Sequence, residues 1–266
     1  MKKSNKNKLF GLVALLVLGV SGMAYFGFMW ISDARDTSAG QDFFVAQAEY
    51  VPVIPRVHLP EFSHGDYLSM SEEDAGFTPV VDFDALRATM PNLIGWIQSY
   101  GTNINYPIVQ FSDNDFYLNH LPDGSRHRMG SIFLDYRHCL YFSSPAMIIY
   151  GHNMASGDKF SSLHNYLSHR YFLEHDTMFI FTPDGNFELR IFAGFDIDST
   201  LEHPPLYFPS EEHFNRFFVE LQNRSFIQSG WTPRLGEQIV YLATCIYAGD
   251  SPWRRIIAGV LEPVDW

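Results

Sequence analysis

The segment YLATCIYAGDSPWRRIIAGVLEP, Tyr241 to Pro263, sets a cysteine and two arginines around a short polar turn. A free thiol ionises near a pKa of about 8.5 and becomes a useful nucleophile only in a positive environment. Arginine supplies that charge and a fork of donors, but it cannot act as a base. The combination allows covalent attack by Cys245 on a carbonyl, provided that a proton acceptor stands elsewhere in the chain. Eleven histidines are available. His152, in AMIIYGHNMASGDKF, follows an apolar run and a glycine, which puts a side chain at the end of a strand on a rigid support. His164, His169 and His175 fall in or beside a helical pattern. Their spacing matches neither HExxH nor another compact metal motif, so they read as surface histidines. A competing reading joins the two cysteines, Cys139 and Cys245, in a disulfide. That accounts for the thiols but not for the arginines.

The elements that must position these residues are legible as short apolar or alternating runs: IGWIQ, INYPIVQ, SIFLD, AMIIY, TMFIF, FELRIFAGF, EQIVYLAT and RRIIAGVLE. Eight runs of strand length divided by turn signals predict a mainly β domain, a closed barrel or a sandwich, rather than a βαβ sheet. In QIVYLATC, alternation sets Ile239, Tyr241, Ala243 and Cys245 on one face and Val240, Leu242 and Thr244 on the other. Arg254 and Arg255 must then point opposite ways, so that one can face solvent while the other faces the thiol's side. Short helices are expected after Asp82, over GDKFSSLHNYL, and over Ser210 to Arg224. In the last, Phe214, Phe217, Phe218 and Leu221 form a packing stripe.

At 266 residues and 46% hydrophobic, the chain can bury a full core in one or two domains. Its formal charge is −12, and Lys2, Lys3, Lys6 and Lys8 lie within the first eight residues, so the remainder is more acidic still. Such a surface repels phosphate backbones and argues against nucleic-acid binding. The uncharged run Leu9 to Ile31 is 23 residues long, enough to cross a hydrocarbon core of about 30 Å. Lysines before it and acids after it leave the N-terminus in the cytoplasm and the rest outside. Gly22 and Ala24 could serve a signal-peptide cut, but Tyr25, Phe26 and Trp30 suit a membrane interface and favour a retained anchor. The expected order is a basic tail (1–8), a transmembrane anchor (9–31), a Pro-containing stalk or extension (32–77) and a compact domain (78–266).

Several blocks occur together in a set order: DFDALRATMPNLIGWIQSYGTNINYPIVQ, DNDFYLNH, GSIFLDYR, IIYGHNM and YLATC, with Arg255 ten residues after the cysteine. In this the chain resembles the class B sortases, membrane-anchored cysteine transpeptidases of Gram-positive cell surfaces. The resemblance runs from about Val81 to Leu261. It makes the compact domain (78–266) the catalytic one, and implies a closed eight-stranded sortase-type barrel with a few short helices, an N-terminal helical extension and a helix in the long loop, about Asp196 to Gln238, between the sixth and seventh strands. It also implies that His152, Cys245 and Arg255 are catalytic and that Asn114, Leu118, Thr244 and Ile246 contact substrate, with the Ile246 N–H beside the oxyanion. Arg254 is then a solvated strand-edge charge. The implied reaction cleaves a C-terminal sorting signal after threonine through a Cys245 thioester and passes the protein to an amine of the cell wall, without metal or organic cofactor. The implied partners are sorting-signal-bearing surface proteins and a peptidoglycan amine. Alternatives are a catalytically silent surface or adhesion domain, a hydrolytic cysteine protease and a pilin-polymerising variant. Where the family commonly has Thr-Leu-Ser-Thr-Cys, this chain has Tyr241 and Ala243, and so lacks a small hydroxyl near the substrate.

Overall fold

The computed structural model describes residues 81–138, 142–246 and 251–264. Helix α1 (Phe83–Arg87) comes first, and the Asp82 carboxylate caps it by accepting from the Ala85 N–H at 2.9 Å. The strands are β1 (Leu93–Gln98), β2 (Asn105–Val109), β3 (Ile132–Leu134), β4 (Ala146–Tyr150), β5 (Thr177–Thr182), β6 (Gly185–Asp198), β7 (Gln238–Cys245) and β8 (Trp253–Val264). They close into a barrel in the order β1-β2-β3-β4-β7-β8-β6-β5, with β5 pairing back onto β1. Closure pairs every strand on both sides and leaves no open edge. Each of the eight runs expected to be a strand contains one. Helices α2 (His169–Glu174) and α3 (Glu211–Arg224) and the 3₁₀ helices Phe116–Leu118 and Ser161–Leu167 decorate the barrel.

Strand direction creates the site. Strands β4 and β7 are parallel, in register from Ala146↔Ile239 to Tyr150↔Ala243. His152 lies two residues beyond Tyr150, and Cys245 two beyond Ala243, so the two residues reach the same end of the sheet. The Gly151 N–H donates to the Ala243 carbonyl at 3.0 Å and carries the register one step further. A Cβ on Gly151 would lie 2.4 Å from Ile132 Cδ1 and 2.6 Å from Phe160 Cδ2, so the chain passes here only as glycine. Strand β8 is antiparallel to β7 and therefore starts at this same end, pairing Cys245↔Arg254 and Thr244↔Arg255.

On the outer face of β4, β6, β7 and β8, Ile148, Tyr241, Ala243, Ile256 and Ala258 meet the apolar stripe of α3. There Phe214, Phe218 and Leu221 are all but fully buried. Burying each such side chain stabilises the fold by about 1.5–3 kcal/mol relative to leaving it exposed. The Ser210 hydroxyl caps α3 by accepting from the His213 N–H. The long connection between β6 and β7 thus carries its helix as expected. Tyr241 is completely buried beneath that helix, which makes it part of the core and not a substitute for a substrate-facing hydroxyl.

The tail 1–8, the apolar run 9–31, the stalk 32–77 and Cys139 lie outside the described residues. The expected single-pass membrane location is corrected: among the described residues no helix is long and apolar enough to cross a membrane. The 14-residue α3 rises only about 21 Å against a hydrocarbon core of about 30 Å, and its outer face is polar.

Candidate active site

At the strand end where β4 and β7 finish lies a cleft of about 710 Å³, whose walls include His152, Cys245, Arg254, Leu118 and Asn114, with Thr200 and His203 from the β6–β7 connection. Cys245 is a half-buried free thiol. Cross-strand partners in an antiparallel pair project to the same face, so Arg254 stands beside Cys245 on the cleft side. One guanidinium nitrogen of Arg254 donates to the carbonyls of Ser251 and Trp253, which hold the side chain over the start of β8.

His152 Nε2 lies 2.7 Å from the Leu118 carbonyl. A carbonyl can only accept, so Nε2 carries the hydrogen and Nδ1 is left to exchange a proton. Burial pushes the His152 pKa below its ordinary value; the Leu118 carbonyl opposes that shift, and the charge of Lys159 adds to it. That shift favours the neutral ring. Its loop is stapled by the Phe160 N–H, which donates to the His152 carbonyl at 3.0 Å, and by the Met154 N–H, which donates to Ser161 Oγ at 2.7 Å.

The other residues expected at the site have varied placements. Arg255 is not brought to the cleft. It is 5% exposed, shares the opposite face with Thr244, and grips the Asp196 carboxylate through two bonds of 2.8 Å. Its Nη1 also lies 3.1 Å from His164 Nδ1. The physical reason is the register: alternation gives the cleft to whichever arginine opposes Cys245, and that is Arg254. The Ile246 N–H, expected beside an oxyanion, instead donates to the Trp253 carbonyl at 3.1 Å and closes the β7–β8 ladder. Thr244 borders the cleft, but it is 2% exposed and its hydroxyl has no hydrogen-bond partner among the described residues. Asn114 lines the cleft with its amide already engaged, donating to Asp135 at 3.0 Å and accepting from the Tyr136 N–H at 3.0 Å. Leu118 is 36% exposed on the cleft wall, and its carbonyl also orients His152.

Two contributors escape sequence reasoning. Asp135 is fully buried and anchors the cleft wall, accepting from Asn114, Arg137 and the Tyr150 hydroxyl. Burial alone would raise its pKa, but the Arg137 and Asn114 hydrogen bonds outweigh burial and hold the carboxyl at about 2. His164, expected at the surface, has its Nε2 3.1 Å from the Cys245 carbonyl. Nothing local marks it, because its two partners are 81 and 91 residues away in sequence. Among the described residues no group of three His, Cys, Asp or Glu side chains is placed to hold a metal ion.

No family model matches the chain. Among curated proteins it is similar to sortase B of Listeria monocytogenes, with 33% identity over 177 residues that cover 66% of this chain and 72% of that protein. Among solved structures it is similar to a Staphylococcus aureus sortase B–substrate complex, with a TM-score of 0.65 and 26% identity, covering 69% of this chain and 85% of that one. A sortase B structure complexed with triglycine superposes with a TM-score of 0.63 at 26% identity, covering 69% and 86% of the two chains.

Proposed function

This chain belongs to the sortase B family, and from that premise we propose that it is a cysteine transpeptidase with Cys245 as nucleophile, His152 as proton carrier and Arg254 as the charge facing the oxyanion. One observation carries the reading: Cys245 and Arg254 are cross-strand partners on the face that opens, with His152, into a single cleft. His152 Nδ1 takes the thiol proton, and the thiolate adds to the carbonyl of a bound peptide. The negative oxygen that forms is met by the Arg254 guanidinium. Collapse breaks the C–N bond, His152 protonates the departing amine, and a Cys245 thioester remains. An incoming amine then gives a proton to His152, attacks the thioester and releases the thiol, which recovers its proton from the imidazolium. Atoms and protons balance without an external cofactor.

The family spacing selects Arg255 for the charge at the oxyanion; we give that place to Arg254, supported by the Asp196 pairing of Arg255 on the other face. The substrate is a sorting-signal peptide and the acceptor an amine, a reading supported by the sortase B structures that carry a substrate and triglycine. The test is incubation of the chain with a sorting-signal peptide library and triglycine, followed by mass spectrometry of the protein and products. A thioacyl adduct on Cys245 and an amide product, both absent in Cys245→Ala, are expected. Adduct formation that survives Cys245→Ala would overturn the assignment.

A further inference from the structure

Beneath the thiol, on the face turned away from the cleft, a chain of polar contacts runs Asp196, Arg255, His164, Cys245 carbonyl. Asp196 on β6 and Arg255 on β8 are cross-strand partners joined by two bonds of 2.8 Å. Arg255 Nη1 lies 3.1 Å from His164 Nδ1, and His164 Nε2 lies 3.1 Å from the carbonyl oxygen of Cys245. A guanidinium can only donate and a carbonyl can only accept. Both partners therefore demand the same form of the imidazole: neutral, with hydrogen on Nε2 and the lone pair on Nδ1. Burial, the largest influence on His164, holds its pKa below the ordinary value and agrees with that form. Arg255 is further seated against the Phe226 ring, 5.2 Å from its centroid.

The location gives this contact its meaning. Cys245 is the last residue of β7. Beyond it, Ile246 keeps one ladder bond to Trp253. The Cys245 carbonyl is thus secured sideways by His164. His164 stands on the 3₁₀ helix Ser161–Leu167, whose first residue, Ser161, also accepts from the Met154 N–H in the loop that bears His152. One short segment therefore grips the strand end that carries the thiol and the loop that carries the proton carrier. The two come from parts of the chain far apart in sequence, and no covalent link keeps them aligned.

We propose that His164, held in its Nε2–H form by the Arg255–Asp196 pair, is a positioning residue that sets the thiol of Cys245 relative to His152 through the Cys245 backbone. It reaches Cys245 through the carbonyl and is not among the residues that line the cleft, and the inference rests on the reading of Cys245 as nucleophile. Displacing a reacting group by about 1 Å can cost about a hundredfold in rate, so a sideways tether at a strand terminus, beside the ladder bond of Ile246, is a sensitive place to hold it.

The experiment compares His164→Ala, His164→Gln and Arg255→Lys in the full chain by two readouts. One is transpeptidation of a sorting-signal peptide onto triglycine, resolved into kcat and KM. The other is the iodoacetamide alkylation rate of Cys245, followed by peptide mass spectrometry so that Cys139 does not confuse it. In His164→Gln the amide can still donate to the carbonyl and accept from Arg255, whereas in His164→Ala both contacts are lost. The expected result is a fall of about tenfold in kcat for His164→Ala with KM within about twofold, and restoration by His164→Gln to within about threefold of the parent. Arg255→Lys keeps the charge but not the fork and falls between. Slower alkylation of Cys245 in His164→Ala accompanies the lower kcat. Unchanged kcat and alkylation in His164→Ala, or equal impairment of Ala and Gln variants, would overturn the proposal. If His164→Ala folds poorly, thermal denaturation reveals it, and the Gln and Lys variants then decide alone. Transpeptidation surviving in Cys245→Ala would instead defeat the functional reading, which the alkylation arm does not depend on.

Discussion

Arg254 and Arg255 are neighbours with the same side chain, yet the two faces of the β7–β8 pair treat them as different tools. On the outer face, Arg254 opposes Cys245, is held among the described residues by carbonyls of its own loop and borders a cleft. On the opposite face, Arg255 opposes Thr244, is buried and has its fork committed to Asp196 and His164. A guanidinium with donors to spare can meet a charge that appears during a reaction. One buried with its fork on a carboxylate is held in the scaffold. Register, and not residue type, gives the two side chains different surroundings.

The comparison can be broken most sharply at Arg254. Losing one preorganised donor at an oxyanion costs about 3–4 kcal/mol, or about a hundredfold to a thousandfold in rate. Steady-state transpeptidation by Arg254→Ala should show that loss while its melting temperature stays near the parent's. A variant with full turnover would place the reactive charge elsewhere.

Arg255→Ala should lose stability, beside the modest fall in kcat expected from releasing His164. Removing one partner of a buried pair costs about 3–5 kcal/mol. Here Asp196 keeps 33% of its side chain in solvent, so about 2–3 kcal/mol is expected. Urea denaturation measures it. If Arg255→Ala melts like the parent while Arg254→Ala unfolds, the faces have been assigned the wrong way round.

The pH dependence sharpens the cleft side further. His152 acts as a base only when neutral, and burial depresses its pKa. Activity should therefore hold as pH falls past the ordinary histidine value of about 6.5 and be lost only as pH drops through the lower folded value. A pH profile of kcat/KM locates that limb; a midpoint above about 6.5 would contradict the buried setting.

The smallest effect is expected at Cys139. If Cys245 works as a free thiol, Cys139→Ser should leave transpeptidation and stability within about 0.5 kcal/mol of the parent. Loss as complete as that of Cys245→Ala would revive a disulfide between them.

Much of this protein was legible in its sequence, for reasons that are local. Strand alternation and turn residues mark all eight strands because side-chain period and backbone geometry act over a few residues. The Ser210 cap and the aromatic stripe of α3 are likewise neighbours along one helix. The strand-end position of His152 follows from one apolar run and one glycine. What stayed hidden depends on which strand lies beside which, and in what register. Alternation states that Arg254 and Arg255 part company, but only the pairing Cys245↔Arg254 says which one meets the thiol. The same pairing consumes the Ile246 N–H, and packing consumes the Asn114 amide, each by a partner no local pattern names. His164 is the extreme case: its place beside the Cys245 backbone is written in two hydrogen bonds to residues brought near only when the barrel closes. Local sequence determined the elements and the kinds of chemistry available. The closed sheet alone decided which donors were spent on the fold and which were left facing the cleft, because a hydrogen bond is committed by proximity in space and not along the chain.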